Sequence, residues 1–422
     1  MMHTQYNGVI SRFLRHDERL VLSKEHEMPL VIEADGSNDL EFLQTFLSNN
    51  AEQLLEDVSK YGAVLFRGFN INSDEDFEKS LLSIRGLRGI SDAFMSEEGR
   101  IHPDNAKFVL HTNAVYKTGG TLYLGGFHSE NYYSTDVPSY ISFCCLKPSI
   151  TGGETGLINM EKIYPLLDEE LKIKLETNTF FVSKWLISEV AERYQISIEQ
   201  IENLCKKFDI PIVGKGDHKF ILMYKPSIFE DALTKKKSLQ INFFEIKTLN
   251  DELRKCFLPD YQGKMWFWHR LVWRLPTNVF TLIERISVAL ISFSHSPKDS
   301  IKILLSKIKS YRSSKIPDNL PDFNDIKVGK CFTEQDIQKL AVLMRENYSS
   351  CLWKKGDMLL VDNKKVVHAG MPGSGPRLIR AIICNPLDMK YSYRDSGTLI
   401  CHDRDAESVG FYMNQPALGH RN

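Results

Sequence analysis

The 422-residue chain lacks a dominant charge: 53 Lys and Arg stand against 54 Asp and Glu, leaving a formal charge of −1. No long-range field gathers a polyanion, and no interleaved aromatic and basic signature is present, so nucleic acid is not an expected partner. The chain also lacks any Cys-x-x-Cys pair. Its eight cysteines are scattered at 144, 145, 205, 256, 331, 351, 384 and 401, which argues against a zinc ribbon or a thioredoxin-type site. Cys144, Cys145 and Cys384 fall in apolar runs and read as core residues. A bilayer span needs about twenty continuous apolar residues. The nearest approach, Leu271 to Phe293, is interrupted by Arg274, Pro276, Glu284 and Arg285. Met1-Met2-His3-Thr4-Gln5 does not begin a basic segment followed by an apolar one, so no secretory signal is expected. These absences lead to the expectation of a cytoplasmic protein whose thiols stay reduced.

What is present concentrates in two short segments. Gly125-Gly126-Phe127-His128-Ser129-Glu130-Asn131 carries an imidazole and a carboxylate two residues apart. Far downstream, Asp357-Met358-Leu359-Leu360-Val361-Asp362 leads to His368, and Arg377 and Arg380 follow. Two histidines and one carboxylate, with coordination positions left open, suit non-haem Fe(II). If His128 and Glu130 share a strand, alternation puts both on one face and turns Ser129 away.

The flanking pattern supports a β-rich frame. Tyr140 to Leu146 is apolar, aromatic and β-branched, as in a buried strand. Gly152-Gly153-Glu154-Thr155 makes a turn that presents a hydroxyl. Trp353 to Asn363 reads as turn, strand and turn, and Arg377 to Cys384 as a strand after a Gly/Pro-rich loop. Arg377 and Arg380 are three apart on that strand, so they face opposite sides and only one points inward. Helices are expected over Leu40–Tyr61, Ser73–Leu87, Tyr164–Leu171 and Ser197–Lys207, and a strand over Leu239–Phe244. His102 to Thr121 is rich in turn and polar residues and is expected to approach the site.

In order along the chain, Gly62-Ala63-Val64-Leu65-Phe66-Arg67-Gly68-Phe69, His128-Ser129-Glu130, Gly152-Gly153-Glu154-Thr155, Gly356-Asp357-Met358-Leu359-Leu360-Val361-Asp362-Asn363 and His368 with its trailing arginines form one set. This set resembles the taurine-dioxygenase-like (TauD/TfdA) family of Fe(II)- and 2-oxoglutarate-dependent oxygenases, over roughly residues 28–250 and 330–390. Glu rather than Asp at position 130 is similar to the secondary-metabolite (syringomycin-biosynthesis-like) branch.

The resemblance implies a mainly β fold with flanking helices, a double-stranded β-helix (jelly-roll, cupin-like) with the metal at one mouth of the barrel. It wraps both ends into one domain over 1–422. His128, Glu130 and His368 would hold Fe(II), and Thr155 would hydrogen-bond the distal carboxylate of 2-oxoglutarate. Arg377 or Arg380 would pair with that carboxylate through its guanidinium fork, with family spacing favouring Arg380 slightly. Thr112, Asn113, Asn131 and Asn242 are candidate substrate contacts. The implied reaction consumes O2 and 2-oxoglutarate, releases succinate and CO2, and hydroxylates or desaturates a small amino-acid-like metabolite, free or tethered to a carrier protein. Halogenating relatives carry a small residue where Glu130 stands, so oxygenation is expected over chlorination. A non-catalytic binding or regulatory module is the alternative. A zinc hydrolase with the same ligands leaves Thr155 and the arginines unexplained.

Residues 255–328 do not fit this core. Met265-Trp266-Phe267-Trp268-His269-Arg270-Leu271-Val272-Trp273 precedes an amphipathic run, Val279 to Phe293, and a basic stretch with Lys298, Lys302, Lys307, Lys309, Arg312 and Lys315. Helices packed on the core, a substrate lid, and a surface for a membrane or an acidic carrier protein all remain open.

Overall fold

Strands with apolar residues on both faces can only sit between two covering layers, and the central strands here are of that kind. The computed structural model describes residues 4–91, 103, 105–112, 120–121, 124–276, 278–280, 282–283, 286, 326–392, 397–404 and 408–409. Two facing sheets use ten strands: β1 (Val9–Phe13), β2 (Leu30–Ala34), β3 (Ala63–Arg67), β4 (Leu110–His111), β5 (Pro138–Lys147), β6 (Thr155–Asn159), β7 (Tyr348–Cys351), β8 (Met358–Asp362), β9 (Val366–Gly370) and β10 (Leu378–Pro386). The larger sheet has the order β1-β2-β3-β8-β5-β10-β4 and the smaller β7-β6-β9. All neighbours are antiparallel except β2 and β3.

Alternation assigns the two faces. Leu65, Ile141, Phe143, Leu359, Val361, Ala381 and Ile383 point inward and pack with Leu157, Cys351 and Val366 of the smaller sheet. Val64, Phe66, Leu360 and Ile382 point outward, against helices α1 (Leu40–Asn49), α2 (Ala51–Tyr61) and α3 (Asp74–Leu82). On the far side, Ile158, Tyr348 and Val367 of the smaller sheet pack on α4 (Lys247–Phe257) and α5 (Glu334–Glu346). The result is the expected double-stranded β-helix sandwiched by helices. Among the described residues its two sheets face each other as an open pair and do not hydrogen-bond into a closed barrel.

Several elements differ from expectation. Leu40–Tyr61 is two helices, because Asn50 leaves the helical conformation and its side-chain amide donates to Phe46 O. No helix spans Tyr164–Leu171: Pro165 allows one 3-10 turn, and the Asp168 carboxylate caps a new helix, Glu169–Thr177. The strand expected over Leu239–Phe244 stops at Leu239 and gives way to a 3-10 turn at Phe243–Glu245.

A buried ionic cluster ties together the ends of the adjacent interior strands β3 and β8. Arg67 donates to both oxygens of Asp357, at 3.1 and 2.6 Å, and to Glu18 at 2.7 Å. Burial pushes the Asp357 carboxyl up against the pull of Arg67. Glu18 goes the other way: against burial, donors on Arg12, the Arg15 backbone and Arg67 hold it well below the usual carboxylate range. Arg67 and Asp357 belong to two of the motifs read in the sequence, and their work is structural. Of the 255–328 insertion, Tyr261, Trp266, Trp273 and Phe280 are buried in the core under the smaller sheet, whereas Phe267, Trp268 and Leu271 are exposed. Its basic stretch lies outside the described residues.

Candidate metal centre

His368 is on β9 with the parity of Val366, so it points between the sheets, where its ring meets Phe143 at 5.1 Å. His128 belongs to no strand. It forms isolated antiparallel bridges to His368 on one side and Asn242 on the other. Glu130 sits in a turn, followed by Asn131 in the left-handed region at φ 53. The expected single strand carrying His128 and Glu130 is therefore absent, and a bridge plus a turn brings the ligands together instead. Glu130 Oε2 lies 3.3 Å from His368 Nε2 and 3.9 Å from His128 Nε2. The three donor atoms fall within 4.8 Å of one another.

The donors fit a metal. His128 Nδ1 lies 2.9 Å from Gly126 O, which assigns its proton to Nδ1 and leaves the Nε2 lone pair facing Glu130. That carbonyl is held in place by an unusual backbone: Gly125 and Gly126 have φ +115 and +72. A Cβ at Gly125 would stand 2.9 Å from Asn250 Oδ1, the atom that accepts from Gly126 N–H. Asn363 grips Glu130 by its backbone. Its Oδ1 accepts from Glu130 N–H at 2.7 Å, and its Nδ2 donates to Pro138 O at 2.8 Å and Glu130 O at 3.3 Å.

Beyond Glu130 the loop is pinned from a third side. Lys225 is fully buried and donates to Ser134 O at 2.6 Å, and burial pulls its ammonium well below the usual range. Arg404 and the Val409 N–H both meet Asp136 Oδ1. Asn250, Lys225 and Arg404 were not legible as site-supporting residues, since each acts through contacts distant in sequence. Asn363 stood in a recognised motif, without a role.

The two arginines part as their spacing requires. Arg380 points to the helical side, where its Nε meets Asp74 Oδ1 of α3 at 2.7 Å and its Nη1 lies 3.1 Å from His111 Nδ1. Arg380, slightly favoured as the inward cation, is thus already engaged by the half-buried Asp74 carboxylate. Arg377 is buried on the other side, donating to Gly153 O and sharing its surroundings with Glu154 and Cys145. Gly153 has φ +71, and a Cβ there would reach within 3.4 Å of Arg377 Cδ and collide with Ser149. Thr155 is buried at the start of β6, with the inward parity of Leu157. Trp266 of the insertion packs beneath this turn, 2.9 Å from where a Gly152 Cβ would stand.

The substrate candidates divide. Asn242 is half-buried beside His128. The Thr112 hydroxyl donates to Ile379 O at 2.8 Å, a strand-edge contact. Asn131 is fully buried and its amide donates to Asp136 O at 3.4 Å, which makes it a turn residue. Asn113 lies outside the described residues.

Two histidines and one carboxylate within 4.8 Å of one another could hold a metal ion, and the set suits the facial triad of non-haem Fe(II) oxygenases. Residues 26–289 match the family described as taurine catabolism dioxygenase TauD, TfdA family, and the chain belongs to it. The chain is accordingly an oxygenase using iron and 2-oxoglutarate, which sets aside the binding-module and hydrolase alternatives. It is similar to the dapdiamide synthesis protein DdaC of Enterobacter agglomerans, 23% identical over 79% of this chain and 84% of that one. Among solved structures it is similar to a taurine dioxygenase from Burkholderia xenovorans, with 10% identity, TM-score 0.44 and coverage of 97% and 100%. PvcB from Pseudomonas aeruginosa, an Fe, alpha-ketoglutarate dependent oxygenase from an isonitrile synthetic pathway, shows 11% identity, TM-score 0.43 and coverage of 91% and 94%. No helix among the described residues is long and apolar enough to cross a membrane.

Proposed function

We propose that the protein hydroxylates or desaturates a small amino-acid-like metabolite, free or tethered to a carrier protein. His128, Glu130 and His368 hold the iron, and Arg377 and Thr155 hold the distal carboxylate of 2-oxoglutarate. The observation that carries this reading is the convergence of three donors within 4.8 Å in a largely buried setting. Similarity to a dapdiamide synthesis protein supports a substrate from secondary metabolism.

Bound iron supplies the redox chemistry that couples decarboxylation to substrate oxidation. The protein's own part is placement. Arg377 offers a planar fork that matches a carboxylate, and its charge is buried where water competes little. Phe143 covers one side of His368 and keeps that side dry. Glu130 fills a ligand position that a halide would otherwise need, which favours oxygenated or desaturated product.

The test is anaerobic addition of Fe(II) and 2-oxoglutarate, followed by O2. A weak visible charge-transfer band before O2, and succinate after it, are expected. A protein that gives neither, while remaining folded, would overturn the reading.

A further inference from the structure

Beside Arg377 lies a buried acid that this reading leaves without a part. Glu154 has no exposed surface. Its Oε1 accepts one long hydrogen bond, 3.5 Å from Tyr348 Oη, and its Oε2 has no partner among the described residues. The buried Tyr261 hydroxyl has none either. Burial, and then the charge of Glu154, push both tyrosine hydroxyls well up. Glu154 also acts on the Arg377 guanidinium, though among the described residues no direct ion pair closes between them.

We propose that Glu154 is the exchangeable counter-charge of Arg377: ionised while the co-substrate is absent, it takes one proton from solvent when a 2-oxoglutarate carboxylate arrives at Arg377. This rests on the assignment of Arg377 made above. A guanidinium does not give up its proton, and an uncompensated buried charge is costly. One carboxylate is enough to compensate it. Two carboxylates around one cation in a dry site repel, and the one with the weaker contacts protonates. The ligand would touch Arg377 and Thr155 directly, whereas Glu154 keeps an unused oxygen. The proton adds to a Glu154 carboxylate oxygen, and the Tyr348 hydroxyl, 3.5 Å from Oε1, supplies an oxygen able to accept from it.

The surrounding groups leave Glu154 as the one that responds. Burial pushes it up to about 7, against its own backbone N–H, Arg377 and Tyr348. Tyr348 and Cys351 face it from β7 and Tyr261 from beyond α4, with Arg345 of α5 acting on both tyrosines. Burial pushes Cys351 up to about 12, so thiol and hydroxyls stay neutral where Glu154 titrates. Binding raises the Glu154 value further. Affinity is therefore full below about pH 7 and falls as pH rises, by at most about tenfold per unit.

The experiment is calorimetric titration of 2-oxoglutarate into the Mn(II)-loaded protein without O2, in two buffers of different ionisation enthalpy. At pH 8 the wild type should take up roughly half a proton or more, and its Kd should weaken between pH 7 and 8.5. Glu154→Gln keeps shape without charge and should bind with no proton uptake and a flat profile. Tyr348→Phe removes the hydrogen bond to Glu154 and should move the weakening to higher pH. Absence of uptake in the wild type, or undiminished uptake in Glu154→Gln, overturns the proposal. If Glu154→Gln does not fold, the wild-type proton count and the Tyr348→Phe shift decide. Arg377→Ala separates the two readings. An unchanged Kd there removes Arg377 from the site, whereas a weakened Kd with persistent uptake in Glu154→Gln removes Glu154 alone.

Discussion

His128 and His368 hold each other backbone to backbone: the His128 N–H donates to His368 O at 3.1 Å, and the His368 N–H to His128 O at 3.0 Å. Two donors of the proposed iron site, far apart in sequence, are thus registered by the backbone alone. Because the sheets are packed independently of that pair, His128→Ala and His368→Ala should each abolish binding of about one Fe(II) per chain and leave the fold intact. Anaerobic iron analysis beside a thermal melt checks this, and undiminished iron in either variant removes that histidine from the centre. Asn363→Ala releases the Glu130 backbone without touching a donor atom. Loss of such supporting contacts weakens metal by roughly 10–100-fold, so this variant should need more iron for occupancy while still binding it.

Arg377, just before β10, and Arg380 within it test two different surroundings. Arg377→Ala should weaken 2-oxoglutarate by roughly 1.5–3 kcal/mol, the scale of a charge-assisted hydrogen bond. Arg380→Ala should leave that Kd nearly unchanged and lower the melting temperature, because Asp74 loses its partner. An anaerobic titration of both variants is sufficient. If Arg380→Ala alone weakens 2-oxoglutarate, the inward assignment of Arg377 is wrong.

The difference between these arginines shows what a sequence withholds. Strand alternation separates them, yet which one points inward depends on Asp74, a residue 306 positions away. The convergence of His128, Glu130 and His368 was legible because histidine and carboxylate are chemically distinctive and their flanking motifs occur in order. The sheet-on-sheet core was legible through the strands around Tyr140–Leu146 and Arg377–Cys384. The bridge that aligns His128 was not, since an isolated pairing leaves no periodic pattern. Nor was the Asn363 grip on Glu130, which joins side chain to backbone across 233 residues. At Asn50 and Pro165 local backbone chemistry overrode an apolar spacing that read as continuous helix.

Arg67 carries a pH dependence whose sign follows from Glu18. The native carboxyl of Glu18 is held below its usual value, so its stabilisation is present above the unfolded value of about 4.3 and lost as pH falls. Arg67→Met leaves Glu18 and Asp357 buried with fewer donors, at a cost of roughly 3–5 kcal/mol near pH 7. That cost should shrink towards pH 4 as the carboxylates protonate. Denaturant unfolding of wild type and variant at both values measures it, and an equal penalty at the two would show that lost packing, not charge, sets the difference.

On the proposed assignment, Glu130 decides between oxygen and halide. Its Oε2 lies 3.3 Å from His368 Nε2, inside the donor cluster, so a chloride has no vacancy beside the two histidines. Wild-type protein should therefore give only oxygenated or desaturated product even in abundant chloride. Glu130→Ala should open the position and sharply reduce hydroxylation. Gain of chlorination does not follow from the vacancy alone, because the substrate carbon must also lie nearer the halide than the competing oxygen. Mass spectrometry of products formed with and without chloride reads both effects. A chlorinated product from the wild type would remove Glu130 from the ligand set, whereas full hydroxylation by Glu130→Ala would show that two histidines suffice.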